Sequence, residues 1–143
     1  MLAAAVLCAC ASKSSEKRAP QKVSGEWVVA QVVVDPNLPE NQAIARESPE
    51  GYEWLTGLLI QQTVGRKYVF KPDGAFEKFV PYDSSFVAGS WRQDGDSLRI
   101  AYADGDVERR EAYRIEFVGD STLTLLSHDK LTVKYVFSRP VVP

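Results

Sequence analysis

Histidine, cysteine and net positive charge are all scarce in this chain of 143 residues. The one histidine, His128, lies between Ser127 and Asp129 in a predicted tight turn, where these side chains cannot form a relay of nucleophile, base and orienting acid. A single histidine also gives little basis for a zinc site, so we expect no metal and no cofactor. The net charge of -2 excludes a broad basic surface, which argues against nucleic acid as a partner.

The apolar run at the start of the sequence is short. It extends from Leu2 to Ala9, which is long enough for the core of a secretory signal but too short to span a bilayer. Its end, "LCAC", resembles the bacterial lipobox, in which signal peptidase cuts before a lipidated cysteine. Cys10 would then become the first residue of the mature protein and carry the acyl chains that anchor it to a membrane. An ordinary signal peptide or a chance apolar start is the alternative.

These features divide the chain into predicted segments with different roles. Residues 1–9 form the signal peptide, residues 10–22 the lipidated cysteine with a flexible polar tether, and residues 23–143 the folded domain. We expect a bacterial outer-membrane lipoprotein that faces the periplasm or the cell surface. Both cysteines precede the domain, so its fold must be stable without a disulfide.

The folded domain is rich in residues that favour strands. With 45% hydrophobic and 25% charged residues, the chain has enough apolar material for one core. Short turns containing Gly and Asp separate eight runs of β-branched and aromatic residues. These predicted strands are residues 26–34, 66–71, 75–80, 86–93, 97–103, 107–117, 122–127 and 130–139. Such short links require antiparallel neighbours, because a parallel pair needs a crossover of about a dozen residues or more.

Pairing of the last strand with the first would remove both open edges of this sheet. We therefore predict an all-β fold, an eight-stranded antiparallel up-and-down β-barrel with one short helix in the long first connection, residues 35–65. Ser48 as N-cap and Pro49 in the first turn predict where this helix begins. An apolar stripe from Trp54 to Leu59 would pack on the barrel. A two-sheet sandwich is the alternative architecture.

Two side chains are predicted to meet at one rim of this barrel. Trp27 lies near the start of the first strand and Arg139 at the end of the last, and strand alternation points Arg139 inward. Gly25 and Trp27 in a Gly-x-Trp motif, with the inward Arg139, resemble the signature of lipocalins and their calycin relatives. The stretches "YVFKPDGAF", "GSWRQDGDSLRI" and "YVFSRP" are similar to the small lipocalin-like domains of bacterial lipoproteins. The resemblance covers roughly residues 23–140 and implies a barrel in which Trp27 and Arg139 stack to close one end.

Charge in the sixth predicted strand conflicts with an entirely apolar interior. In "DVERREAYRIEF", the frame that points Tyr113 and Phe117 inward also points Arg109 and Glu111 inward, and the opposite frame buries another pair of charges. Because an unpaired buried charge is costly, one interpretation is a ligand contact in which Arg109 receives an anionic group. The alternatives are an internal pair between Arg109 and Glu111, or a strand end that protrudes into water.

We expect this protein to bind a ligand and not to act as an enzyme. The ligand would be a small apolar or amphipathic molecule at the open rim. The candidate ligand-binding residues are Trp54, Tyr68, Tyr102, Arg109, Glu111 and Tyr113. Trp54 would be either the core of a helical lid or a wall of the pocket. The alternative function is a protein-interaction or inhibitor module, in which rim loops grip a protein partner and side chains fill the interior.

Overall fold

The computed structural model describes residues 23–129 and 131–140, and the predicted signal peptide, Cys10 and tether lie outside them. In these residues the chain forms eight strands and two helices. In chain order they are β1 Gly25–Val33, α1 Pro39–Glu47, α2 Pro49–Thr63, β2 Lys67–Phe70, β3 Ala75–Val80, β4 Ser85–Asp94, β5 Ser97–Asp104, β6 Val107–Val118, β7 Thr122–His128 and β8 Thr132–Ser138. Every strand boundary lies within two residues of its predicted position.

The strands form one closed barrel in sequential order, which confirms the predicted up-and-down topology. Strand β1 pairs with both β2 and β8 in antiparallel fashion, and Val29 lies opposite Phe137 at the closing seam. Because the closed sheet has no free edge, the sandwich alternative is excluded. The alternation of each strand then separates an inward face from an outward face.

A bulge in β6 corrects one predicted orientation. The register shifts between Ile115 and Phe117, and an extra residue in a strand reverses the alternation beyond it. Phe117 therefore points outward and is 55% exposed, while Val118 packs against the core. The predicted inward orientation of Phe117 is wrong. Tyr113 and Ile115, which precede the bulge, pack against the core as expected.

The long first connection contains two helices, not the single helix predicted. Helix α2 begins at Pro49, and the Ser48 hydroxyl accepts a hydrogen bond of 3.3 Å from the Gly51 amide, in agreement with the predicted N-cap. Helix α1 precedes the predicted helix start at Ser48 and Pro49. Neither helix has the length and apolar character needed to cross a membrane.

Helix α1 is fixed to the barrel through Asn41, which is completely buried. Its side-chain amide donates hydrogen bonds to the carbonyl oxygens of Asp35 (2.8 Å) and Thr132 (3.1 Å), and its side-chain oxygen accepts one from the Thr132 amide (2.9 Å). The Thr132 hydroxyl also donates to the Glu40 carboxylate at 2.9 Å. These contacts satisfy backbone groups at the start of β8 and place α1 at the rim where β8 begins.

The opposite rim is closed by Trp27 and Arg139. The indole is fully buried, and the guanidinium carbon of Arg139 lies 3.6 Å from the indole ring centroid. Arg139 also donates hydrogen bonds of 3.1 Å to the carbonyl oxygens of Glu26 and Asp120. Gly25 has a φ of 120°, and a side chain there would collide with the guanidinium. One arginine thus links β1, β8 and the turn before β7.

We expect Arg139→Gln to lower the free energy of unfolding by about 2 kcal/mol, because stacking on the indole and charge-assisted hydrogen bonds are both lost. Arg139→Lys should recover only part of this, since an ammonium lacks the planar fork of a guanidinium. Urea unfolding measures both changes. The control Arg46→Gln alters an exposed arginine in the last turn of α1 and should change stability by less than about 0.5 kcal/mol. Equal losses in Arg139→Gln and the control would contradict the role of Arg139 in closure.

Aromatic side chains fill the part of the barrel interior next to this closed rim. The Tyr68 ring lies 5.1 Å from Phe137 and 5.7 Å from Phe76, centroid to centroid, and Phe70 lies 5.4 Å from both Phe76 and Trp91. Edge-to-face and tilted contacts at these distances are favourable. The space left for other molecules therefore lies toward the rim that carries the helices.

Candidate functional site

The rim opposite Trp27, here called the mouth, carries both helices and the links from β3 to β4, from β5 to β6 and from β7 to β8. Two cavities of about 470 and 450 Å³ open at the mouth. Both are lined by Arg66, Arg110 and Glu111, so they adjoin at these residues. Helix α2 contributes Leu59, Gln62 and Thr63 to the lining of the second cavity.

Glu111 is the centre of a hydrogen-bonded cluster in the mouth. The Tyr113 hydroxyl donates to its Oε1 and the Tyr102 hydroxyl to its Oε2, both at 2.6 Å. The Lys78 ammonium donates to the Tyr102 oxygen at 2.8 Å and lies 3.4 Å from Glu111 Oε2. Lys78 is only 5% exposed and also lies 5.9 Å from the Tyr68 ring centroid. The carboxylate therefore has a donor on each oxygen and a buried cation beside it.

The cluster changes the protonation of its own charged members. Burial raises the pKa of Glu111, but the positive charge of Lys78 and the hydrogen bonds from Tyr102 and Tyr113 outweigh burial, so the pKa lies below its ordinary value. Burial lowers the pKa of Lys78, against the attraction of Glu111. The fold thus favours the carboxylate form of Glu111.

Searches for related proteins found likeness only at the level of structure, since no family profile and no curated protein matches the chain. The chain is similar to a lipocalin-like protein from Bacteroides uniformis, with a TM-score of 0.56 and 14% identity over 83% of this chain and 99% of that one. The domain has a lipocalin-like fold. A DUF4847 family protein from Bacteroides vulgatus is similar as well, with a TM-score of 0.52 and 17% identity over 90% and 99% of the two chains.

A third similar structure is an uncharacterized protein from Bacteroides eggerthii, with a TM-score of 0.51 and 14% identity over 82% of this chain and 98% of that one. At identities this low, likeness to any of the three structures establishes the fold of the lipocalin-like domain and leaves the function to be argued from its own residues.

The lipocalin-like domain brings four of the predicted site residues together. Tyr102, Glu111 and Tyr113 are joined by hydrogen bonds, and Tyr68 is buried beside Lys78. Glu111 faces inward, but its ionic partner is Lys78 and not Arg109. The predicted alternative of an internal pair between Arg109 and Glu111 is therefore wrong.

Trp54 lies elsewhere than predicted, and Arg109 lines a mouth cavity from a more exposed position than predicted. Arg109 is near the start of β6, with its side chain 57% exposed and its Nε 3.7 Å from Asp104. Arg109 lines one mouth cavity, but its side chain is largely in solvent, as in the predicted alternative of a strand end that protrudes into water. Trp54 is 67% exposed and lines neither mouth cavity. Helix α2 packs Leu59, a member of the predicted apolar stripe, against the core together with Tyr52, which the stripe did not include.

Three residues of the mouth were missed by sequence reasoning: Lys78, Arg66 and Tyr135. Lys78 lies two residues after Phe76 on β3, so alternation alone would have pointed it inward. Arg66 stands just before β2, where its Nε donates to the Gln62 carbonyl at 3.1 Å. Tyr135 faces inward on β8 and stacks edge-to-face on Tyr113 at 5.9 Å between centroids.

Four mouth tyrosines should make the fold sensitive to alkali. Burial raises the pKa of Tyr68, Tyr102, Tyr113 and Tyr135 above the ordinary 10.0, to about 12 for Tyr135. The folded state therefore holds protons that the unfolded state releases, so this contribution is complete below the unfolded pKa and is lost as pH rises through the folded values. We expect phenolate absorbance and loss of tertiary structure to appear together in an alkaline titration. Ionisation of these tyrosines with the fold intact would contradict this expectation.

Proposed function

We propose that the mouth of this lipocalin-like domain binds a small amphipathic molecule. The observation that carries the proposal is a pair of adjoining cavities, about 470 and 450 Å³, built around hydrogen-bonding side chains. Volumes of this order fit small-molecule sites. Because aromatic residues fill the interior near Trp27, a ligand would be confined to the mouth.

The chemistry of the lining favours an amphipathic ligand over a purely apolar one. Tyr68, Tyr113 and Tyr135 line the second cavity together with Ser127, so both aromatic rings and polar groups border it. Arg66 lines both cavities and is available to a polar or anionic head group. A ligand could therefore lay an apolar body on the tyrosine rings and direct polar atoms to the charged side chains.

The experiment is native mass spectrometry of the full chain purified from its own host. We expect one small molecule per chain, and its loss in Ser127→Phe, which places a bulky side chain in the second cavity. The control is Ser121→Phe, an exposed position beside the closed rim. Absence of any bound molecule, or equal occupancy in both variants, would contradict the proposal.

We further propose that Cys10 carries the lipid anchor and holds the domain at the bacterial outer membrane, facing the periplasm or the cell surface. The support is the lipobox-like "LCAC" and the polar stretch that follows it. Fractionation of cells expressing Cys10→Ser should move the protein from the membrane to the soluble fraction, since the acyl chains are lost. Continued membrane retention would contradict lipidation at Cys10.

A protein-interaction module is the second candidate function, and exposed aromatic residues favour it. Trp54, Tyr82 and Phe86 are 67%, 62% and 60% exposed on α2 and the hairpin of β3 and β4 at the mouth. Such side chains are typical anchors of protein interfaces. If native mass spectrometry found a protein partner and no small molecule, and Trp54→Ser released that partner, the second function would replace the first.

A further inference from the structure

The outer face of strands β4, β5 and β6 carries a depression of about 560 Å³, here called the arginine trough. The outward-facing residues of its lining are Ser90, Arg92, Arg99, Ala101, Arg110 and Ala112. Serine and alanine form a low floor, because their side chains extend no further than one heavy atom beyond the β-carbon. The longer side chains of Arg92, Arg99 and Arg110 complete the lining around these small residues.

Strand register places like charges directly opposite each other in the trough. Arg92 pairs with Arg99 across β4 and β5, and Ser90 pairs with Ala101. Across β5 and β6, Ala101 pairs with Arg110, so Arg110 is the diagonal neighbour of Arg99 on the same face. Like charges directly opposite each other destabilise a sheet, so a contribution to stability does not explain the pairing of Arg92 with Arg99.

Acidic side chains do not neutralise the arginine pair. Arg110 lies 3.1 Å from Glu108, but within residues 23–129 and 131–140 neither Arg92 nor Arg99 has an acidic group at ion-pair distance. Asp94 lies on the same outward face of β4 and makes no ion pair with Arg92. The trough is positively charged although the chain from residue 23 onward is net negative, with 13 Lys and Arg against 18 Asp and Glu.

We propose that the arginine trough binds a phosphate group of an anionic ligand. Two opposed guanidinium groups present a charge that a phosphate of about -2 compensates, and guanidinium forks match phosphate oxygens bidentately. The small-residue floor lets the group approach between Arg92, Arg99 and Arg110. Arg110 lines both the trough and the mouth cavities, whereas Arg92 and Arg99 line the trough and neither mouth cavity, so these two arginines distinguish the trough from the mouth.

The test follows the arginine Nε–H resonances of the ¹⁵N-labelled full chain during titration with inorganic phosphate, with chloride at equal ionic strength as reference. We expect saturable shifts for Arg92 and Arg99, which line the trough and neither mouth cavity. Arg99→Gln should weaken the affinity by about tenfold or more. The matched control is Arg46→Gln, an exposed arginine on α1 that should leave the affinity unchanged. No saturable shift, or equal affinity in Arg99→Gln, would overturn the proposal.

Two further measurements separate binding from folding and identify the source of the phosphate. Thermal unfolding of Arg99→Gln at low salt should show equal or greater stability, because repulsion with Arg92 is relieved; if that variant fails to fold, Arg92→Gln replaces it.

Sedimentation with phosphatidylglycerol vesicles, compared with phosphatidylcholine vesicles, tests a lipid head group. If the protein binds phosphatidylglycerol vesicles preferentially and Arg99→Gln abolishes that binding, the ligand is a lipid head group. If the protein binds inorganic phosphate but shows no preference between the vesicles, the ligand is a soluble phosphorylated molecule. Because Arg92 and Arg99 line neither mouth cavity, these outcomes are independent of the proposed mouth ligand.

Discussion

Gly89→Ala should destabilise the protein by about 3 kcal/mol or more, although it adds a single methyl group. Gly89 lies in β4 directly opposite Tyr102 of β5. A β-carbon at this position would overlap the Ala101 carbonyl oxygen and the backbone of Tyr102. Backbone atoms cannot turn aside as a flexible side chain can, so the two strands must separate. Displacement of Tyr102 would also weaken its hydrogen bond to Glu111.

The matched control is Gly57→Ala in α2, where an added β-carbon has no neighbour within 4 Å. Alanine has the higher helix propensity, so this variant should gain about 0.5–1 kcal/mol. Urea unfolding of both variants gives the two signs. A neutral Gly89→Ala would show that β4 and β5 have room to separate at this point, and would contradict the close approach that the barrel requires there.

The fold could be predicted from the sequence to a large extent, because its signals are local. The Asp-Gly pairs at residues 73–74 and 104–105 place glycines with φ of 95° and 65° in tight turns, and alternation between turns defines the strands. Helix α1 could not be predicted in the same way. Pro39 in the first turn and Arg46 in the last turn are compatible with a helix, but no apolar stripe accompanies them, and the contact that fixes the helix is burial of Asn41 against Thr132, 91 residues away.

The candidate site could be predicted only in part, because partner choice depends on three-dimensional register. Alternation pointed Glu111 into the barrel, but it could not reveal that Lys78, 33 residues earlier, would be its partner. Arg109 is two residues nearer the rim, where the side chain reaches water. Phe117 was misassigned because a bulge leaves no clear mark in the sequence. Strand alternation therefore predicts the inward or outward direction of a side chain reliably within a regularly paired strand, and it fails at strand ends and bulges.

Lys78→Met is expected to lower the free energy of unfolding by about 3 kcal/mol at neutral pH, because it leaves the Glu111 carboxylate in the barrel without its cation. Methionine has a similar length, so the loss should come from charge and not from a cavity. Tyr102 and Tyr113 still donate to the carboxylate, which limits the effect. Lys71→Met is the control, since its ion pair with Glu77 at 2.8 Å is half-exposed and should contribute less than about 1 kcal/mol.

The pH dependence of this loss separates charge from packing. In the wild type the folded pKa of Glu111 is lowered, so its contribution is present above the unfolded pKa and is lost as pH falls through the folded pKa. Without Lys78, burial dominates and should raise the folded pKa, so the carboxyl group destabilises the fold at neutral pH and ceases to do so once protonated. The stability difference between wild type and Lys78→Met should therefore narrow in acid.

The double variant Lys78→Met with Glu111→Leu should recover much of the loss, because no unpaired charge remains. A difference that is constant with pH, or a double variant no more stable than Lys78→Met, would show that Lys78 acts by packing and that the cluster is not an ion pair in energetic terms.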